Sequence, residues 1–294
     1  MLKAGVAGAG VFGGYHARKY AELADVELAA VYDQDLTRAE ALAGPLGARA
    51  FDRLADFLDA VDAVTVASPA DTHAEVAMAA LQAGRHAYVE KPLAIFGGDA
   101  RALVETASAK GLQLAVGHQE RVVFEAIGLL SAPERPKTLE AVRLGTPSPR
   151  NRDVSCVLDL MIHDLDLALA VGGEAAWVNA AGGYDHVTAE VGFADGMKAR
   201  FEASRISGGR RRTMKLSYGG GTVAIDFLAP TFANAAGFPL NADFAATPAG
   251  QDPLGTSVAA FVAAAQGKGR PAVTGEEGAR AVELALKIEA AVGM

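Results

Sequence analysis

Two segments of this chain carry side chains able to move a proton: Glu90-Lys91-Pro92 and Asp159-Leu160-Met161-Ile162-His163-Asp164. Lysine shifts its pKa readily on partial burial, so Lys91 can polarise an alcohol oxygen or relay its proton. Pro92 fixes the backbone beyond it and restricts Lys91 to an extended conformation. Glu90 can orient the ammonium. Asp159 and His163 stand i, i+4 and share a helix face. Histidine titrates near neutrality and suits a general base for an alcohol being oxidised. Each segment also has a plainer reading, a surface Glu-Lys pair for the first and a core histidine satisfied by Asp159 for the second.

The third segment, Gly8-Ala9-Gly10-Val11-Phe12-Gly13, follows an apolar strand and opens a helix, the setting of a dinucleotide-binding turn. Gly8 permits the tight turn, Gly10 the close approach of backbone to pyrophosphate, and Gly13 the contact of helix with strand. Val11 and Phe12 begin the helix whose N-terminus faces the phosphates. Asp33 closes the second strand, where a carboxylate binds both adenosine ribose hydroxyls and repels a 2′-phosphate; no Lys or Arg follows until Arg38. NAD is therefore expected rather than NADP. Ser68 and Pro69 end the strand at 63–67 and Glu90 and Lys91 follow the strand at 86–89, all at the carboxyl edge that lines a cofactor crevice. His73 either touches the nicotinamide half or caps its helix. Gln119 and Arg121, after the strand at 112–117, can reach substrate or nicotinamide. No metal site is expected. Together these residues describe a nicotinamide-dependent redox site.

The elements that position them follow from periodicity. Apolar strands at 3–7, 26–33, 63–67, 86–89 and 112–117 alternate with helices at 11–23, 37–47, 72–83 and 99–110, which predicts a doubly wound parallel sheet over residues 1–118. From 119 to 294 the pattern changes. A helix at 154–171 accompanies alternating strands at 137–145, 177–184, 188–193, 197–204, 213–218 and 222–228, with Asp195-Gly196 and Gly219-Gly220-Gly221 at hairpin turns. This predicts a second α/β domain with an open antiparallel sheet, a structureless stretch at 229–253 and helices at 257–266 and 276–292.

Of 294 residues, 51% are apolar and 21% charged, enough for a substantial core. A net charge of −8 argues against nucleic acid and anionic membrane as partners. No apolar run is long enough for a membrane span. The single cysteine, Cys156, excludes an internal disulfide and fits a reducing, cytoplasmic setting. It reads as a small buried residue, His16 as a packing or phosphate-adjacent one, His86 as structural and His186 as solvated.

These motifs, with Tyr15-His16-Ala17-Arg18, Thr72-His73 and Leu93-Ala94, resemble the glucose-fructose oxidoreductase/inositol dehydrogenase/rhizopine catabolism (Gfo/Idh/MocA) family over nearly the whole chain. The resemblance implies Lys91, Asp159 and His163 as the catalytic set and a cis Lys91–Pro92 peptide. It also implies a sugar-like or cyclitol substrate, and a homodimer or homotetramer built on the open face of the second sheet. Residues 117–121 and 157–164 look most like the branch that oxidises nucleotide-linked amino sugars, although Val122-Val123-Phe124 replaces that branch's aromatic-Asn-Pro continuation. The resemblance leaves two other readings: transient use of NAD for glycoside hydrolysis, and a catalytically silent ligand-sensing regulator.

Overall fold

The computed structural model describes residues 1–147 and 154–294, which form two compact units. The first comprises Met1–Gln119 with Leu254–Ala279, and the second Glu120–Pro253 with Arg280–Met294. Residues 254–279, expected with the second domain, thus pack with the first.

Six strands build the first unit: β1 (Leu2–Ala7), β2 (Val26–Tyr32), β3 (Arg49–Phe51), β4 (Ala63–Val66), β5 (His86–Val89) and β6 (Leu114–Val116). All pair in parallel, in the order β3-β2-β1-β4-β5-β6. That is the doubly wound dinucleotide-binding arrangement, which reverses direction between β1 and β4. Every residue of β4 is buried, as a strand covered on both faces requires. Connecting them are α1 (Val11–Glu22), α2 (Leu36–Ala43), α3 (Leu54–Asp59), α4 (His73–Gln82) and α5 (Gly97–Ala109). Asp35 caps α2 by accepting from the Thr37 N–H at 3.0 Å. The edge strand β3 and the short helix α3 have no counterpart in the sequence reading.

In the second unit β7 (Thr138–Leu144), β8 (Ala175–Gly183), β9 (His186–Phe193), β10 (Lys198–Ser204), β11 (Arg211–Ser217), β12 (Thr222–Asp226) and β13 (Thr231–Asn234) lie in the order β13-β12-β11-β7-β10-β9-β8. Burial alternates along β7, β9 and β10, so one face is packed and the other open. The expected antiparallel sheet is corrected in one place: β7 and β10 run parallel, which makes the sheet mixed. Three further corrections concern helices and loops. Helix α6 (Glu120–Ile127) occupies what read as a junction. The expected helix at 154–171 opens with a π-helical turn, Val157–Met161, before α7 (Ile162–Gly172). The stretch 229–253 holds β13, a 3₁₀ turn at Phe244–Ala246 and α8 (Pro248–Gln251).

Helix α9 (Pro253–Ala265) carries the chain back into the first unit. Its Val258 and Val262 join Ala4, Val6, Ala17, Tyr20, Val26 and Leu28 in one buried cluster. Phe261 meets Tyr88 edge-on, with 5.6 Å between ring centroids, and the Tyr88 hydroxyl lies 3.0 Å from Ser257 Oγ. Helix α10 (Gly275–Ala291) follows.

Candidate active site

The glycine turn is a cradle that side chains would fill. Gly8 has φ +106°, and a Cβ there would lie 2.7 Å from the Ala67 backbone. At Gly13 a Cβ would meet Gly8 O at 1.8 Å, so α1 reaches β1 only because this residue has no side chain. The α1 N-terminus has no side-chain cap, leaving its first amides for an anion. The Asp33 carboxylate accepts from Ala9 N at 2.8 Å and Asp35 N at 3.1 Å, which ties the end of β2 to the glycine turn. Val11 and Phe12 are exposed beside it. These residues fit a dinucleotide: Gly8, Gly10 and Gly13 at the pyrophosphate, Asp33 at the ribose.

Arg38, near the start of α2, comes within 3.8 Å of Asp33. Replacing Asp33 by serine removes the charge that opposes a 2′-phosphate and leaves this guanidinium beside it. The NADP-to-NAD affinity ratio of Asp33→Ser should rise by at least about tenfold, or roughly 1.4 kcal/mol, in a fluorescence titration. An unchanged ratio would remove Asp33 as the discriminating group.

Beyond β4 and β5 the chain is held by buried polar contacts. Thr72 donates to Ser68 Oγ at 2.7 Å. His73 is buried, with Nδ1 2.7 Å from Pro92 O and Nε2 2.9 Å from Ser68 O, so it joins the two strand ends on either side of Pro69 and Lys91. Lys91 is half-buried and the Lys91–Pro92 peptide is cis. Glu90 is buried; its Oε1 lies 2.7 Å from His16 Nε2 and accepts from Gln119 Nε2 at 3.0 Å. Gly117 makes room, since a Cβ there would lie 2.8 Å from the Glu90 carboxylate. Burial pushes the Glu90 carboxyl up, but the bond and charge of His16, with Lys91 and His73, outweigh it and hold the carboxyl below its ordinary value.

A carboxyl depressed in the fold stabilises it above the unfolded pKa, about 4.3 for glutamate, and loses that contribution as pH falls through the folded value. The stability gap between wild type and Glu90→Gln should therefore be flat from pH 7 to 5 and close only below about 4.3, read by denaturant unfolding. A gap already closing above pH 5 would contradict the assignment.

In the second unit His163 sits at the start of α7, its side chain 11% exposed. Its Nδ1 lies 2.7 Å from Glu120 Oε2, an oblique contact rather than a straight hydrogen bond. Asp159, on the π-helical turn, has Arg205 Nη1 at 3.9 Å, and Arg205 stacks over Tyr184 and pairs with Asp185 at 3.0 Å. Glu120 in turn accepts from Arg143 Nη1 at 2.8 Å, while Arg143 forks onto both oxygens of Asp164 at 2.9 Å. Burial raises the Asp164 carboxyl, only partly offset by Arg143. For Glu120 burial also pushes upward, yet the charges of His163 and Arg143 hold it well below the ordinary carboxylate value. Arg121 forks onto Asp166 at 2.6 and 3.0 Å inside the same unit, so the two candidates for reaching substrate, Gln119 and Arg121, both have protein partners.

Sequence reasoning missed Glu120 as the partner of His163. The signal is its place in His118-Gln119-Glu120-Arg121, between the two residues expected to reach substrate. Cys156 is fully buried, its thiol pushed up to about 12 by burial, and is inert. His86 Nδ1 accepts from Gln113 N and His186 is exposed, both as expected. Among the described residues no cluster of three or more His, Cys, Asp or Glu is arranged to hold a metal.

A parallel sheet in this strand order, with a glycine cradle and a carboxylate closing its second strand at the carboxyl edge, is the arrangement of a dinucleotide-binding domain. Comparison with known proteins narrows the class. Residues 2–118 match the Gfo/Idh/MocA oxidoreductase family with NAD-binding Rossmann fold. UDP-N-acetylglucosamine 3-dehydrogenase of Acidithiobacillus ferrooxidans is 35% identical over 99% of this chain and 97% of its own. Its solved structure superposes with a TM-score of 0.88 at 34% identity, covering 99% and 97%. An inositol 2-dehydrogenase of Rhizobium meliloti is 30% identical over 69% of each chain. The chain belongs to the Gfo/Idh/MocA family of NAD-binding oxidoreductases, and its cofactor is NAD.

Proposed function

We propose that this protein oxidises a secondary alcohol of a sugar, sugar derivative or cyclitol, with a nucleotide-linked amino sugar as its favoured substrate. The observation that supports this best is the near-complete alignment with a UDP-N-acetylglucosamine 3-dehydrogenase, a likeness that extends through the second unit. Bound NAD supplies the hydride acceptor. Gly8, Gly10 and Gly13 hold its pyrophosphate, and Asp33 its adenosine ribose. Lys91 polarises the substrate hydroxyl oxygen and His163 takes its proton. Asp159 is assigned to a neighbouring substrate hydroxyl.

Incubating the protein with NAD and a panel led by UDP-N-acetylglucosamine, with myo-inositol and free sugars beside it, tests the reading through absorbance of the reduced nicotinamide. Net reduction with the nucleotide sugar supports it. Products without net reduction would favour glycoside hydrolysis instead, and saturable binding without turnover a ligand-sensing regulator.

The open face of the second sheet, where Glu190 pairs with Arg200 at 3.5 Å, is proposed as the surface that meets a second copy; light scattering at two concentrations tests it. No described helix is long and apolar enough to cross a membrane. Together with a single buried thiol, this supports placing the protein in the cytoplasm.

A further inference from the structure

The contact between Glu120 and His163 has a consequence for where a proton can sit. A carboxylate has no hydrogen to donate. Glu120 is held as a carboxylate by Arg143, whose Nη1 lies 2.8 Å from Oε1, and Arg143 is itself fixed by its fork onto Asp164. The other oxygen, Oε2, stands 2.7 Å from His163 Nδ1. The approach is oblique, yet at so short a separation a bare nitrogen lone pair would still be repelled by the anionic oxygen, whereas the positive end of an N–H is attracted to it. The proton of a neutral His163 ring therefore belongs on Nδ1, although a free imidazole has no such obligation.

We propose that Glu120 is the positioning residue for His163: it fixes the Nδ1–H tautomer and leaves Nε2 as the only atom that can accept a proton. The proposal rests on the reading of His163 as the base. The chain Asp164–Arg143–Glu120–His163 joins α7 back to itself through β7 and α6. The imidazole is thus anchored by three elements of one unit rather than by its own helix alone. Such anchoring serves a general base in two ways. It removes the tautomer with the wrong nitrogen protonated, and it places an anion against the imidazolium formed on proton uptake.

The test uses the full chain labelled with ¹⁵N-histidine, with the His163 signals assigned by their loss in His163→Gln. Two-bond ¹⁵N–¹H correlation at neutral pH is expected to show a protonated Nδ1 and a bare Nε2 in the wild type. Glu120→Gln keeps an acceptor oxygen and should preserve that pattern. Glu120→Leu should shift the ring towards Nε2–H and lower kcat by roughly 10- to 10⁴-fold, the range seen when a group that fixes a functional imidazole is lost, with little change in the KM for NAD. A bare Nδ1 in the wild type would overturn the proposal without any variant, so it stays falsifiable if Glu120→Leu folds poorly. A tautomer indifferent to Glu120→Leu in folded protein would overturn it equally. Because the readout is spectroscopic, failure of the base assignment shows separately, as full turnover in His163→Ala.

Discussion

Replacing His163 by alanine is expected to lower turnover by about 10² to 10⁴-fold, the span for a lost general base, with NAD affinity nearly unchanged. The two readouts should separate because the residues proposed to hold NAD, Gly8, Gly13 and Asp33, lie in the first unit, while His163 belongs to the second. The competing reading, a core histidine, predicts the reverse: a lower melting temperature with activity per folded molecule retained. One preparation of His163→Ala decides between them, by NAD titration, turnover and thermal unfolding on the same sample. Preserved turnover would end the assignment.

The largest stability effect is expected at Arg143. Its residue is 2% exposed, and it is the cation bonded to both Asp164 and Glu120. Removing one partner of a buried ion pair leaves an uncompensated charge and costs about 3–5 kcal/mol, whereas removing all partners together costs far less. Arg143→Met should therefore destabilise the second unit by that amount at neutral pH. Burial already pushes the Asp164 carboxyl up, so without Arg143 it should take a proton at much higher pH. Adding Asp164→Asn and Glu120→Gln to Arg143→Met should recover part of the loss, which a mutant cycle read by denaturant unfolding would show. Strictly additive losses would mean that the three side chains do not act as a unit.

The first unit was largely legible because its signals are local. Apolar strands of the right length alternate with helical runs, and the glycine turn falls where the first strand ends. What escaped was short or marginal: β3 has only three residues, an edge strand paired with β2 alone, and no periodicity can reveal it. In the second unit the strands could be read from alternation, but their order could not. The parallel pairing of β7 with β10 depends on a connection through α7, β8 and β9, and alternation along a strand is the same whichever neighbour it has. The candidate base was legible and its partner was not. Helical spacing pointed to Asp159, four residues before His163. The π-helical turn between them and the approach of Glu120 from another helix are features of packing, which spacing on one helix does not encode.

The return of α9 into the first unit sets the order in which a ribosome can complete this protein. Tyr20, Val26 and Leu28 are translated early, yet the Val258 and Val262 side chains that help to cover them are made only after the whole second sheet. Some 135 residues separate Gln119 from Leu254, roughly 7 to 27 s of synthesis at about 5–20 residues per second. Through that interval the nascent dinucleotide-binding half carries an apolar patch waiting for a segment not yet made. A chaperone that shields it, or a slow approach to full cofactor affinity after release, is the cost of closing one half of a protein with residues from beyond the other.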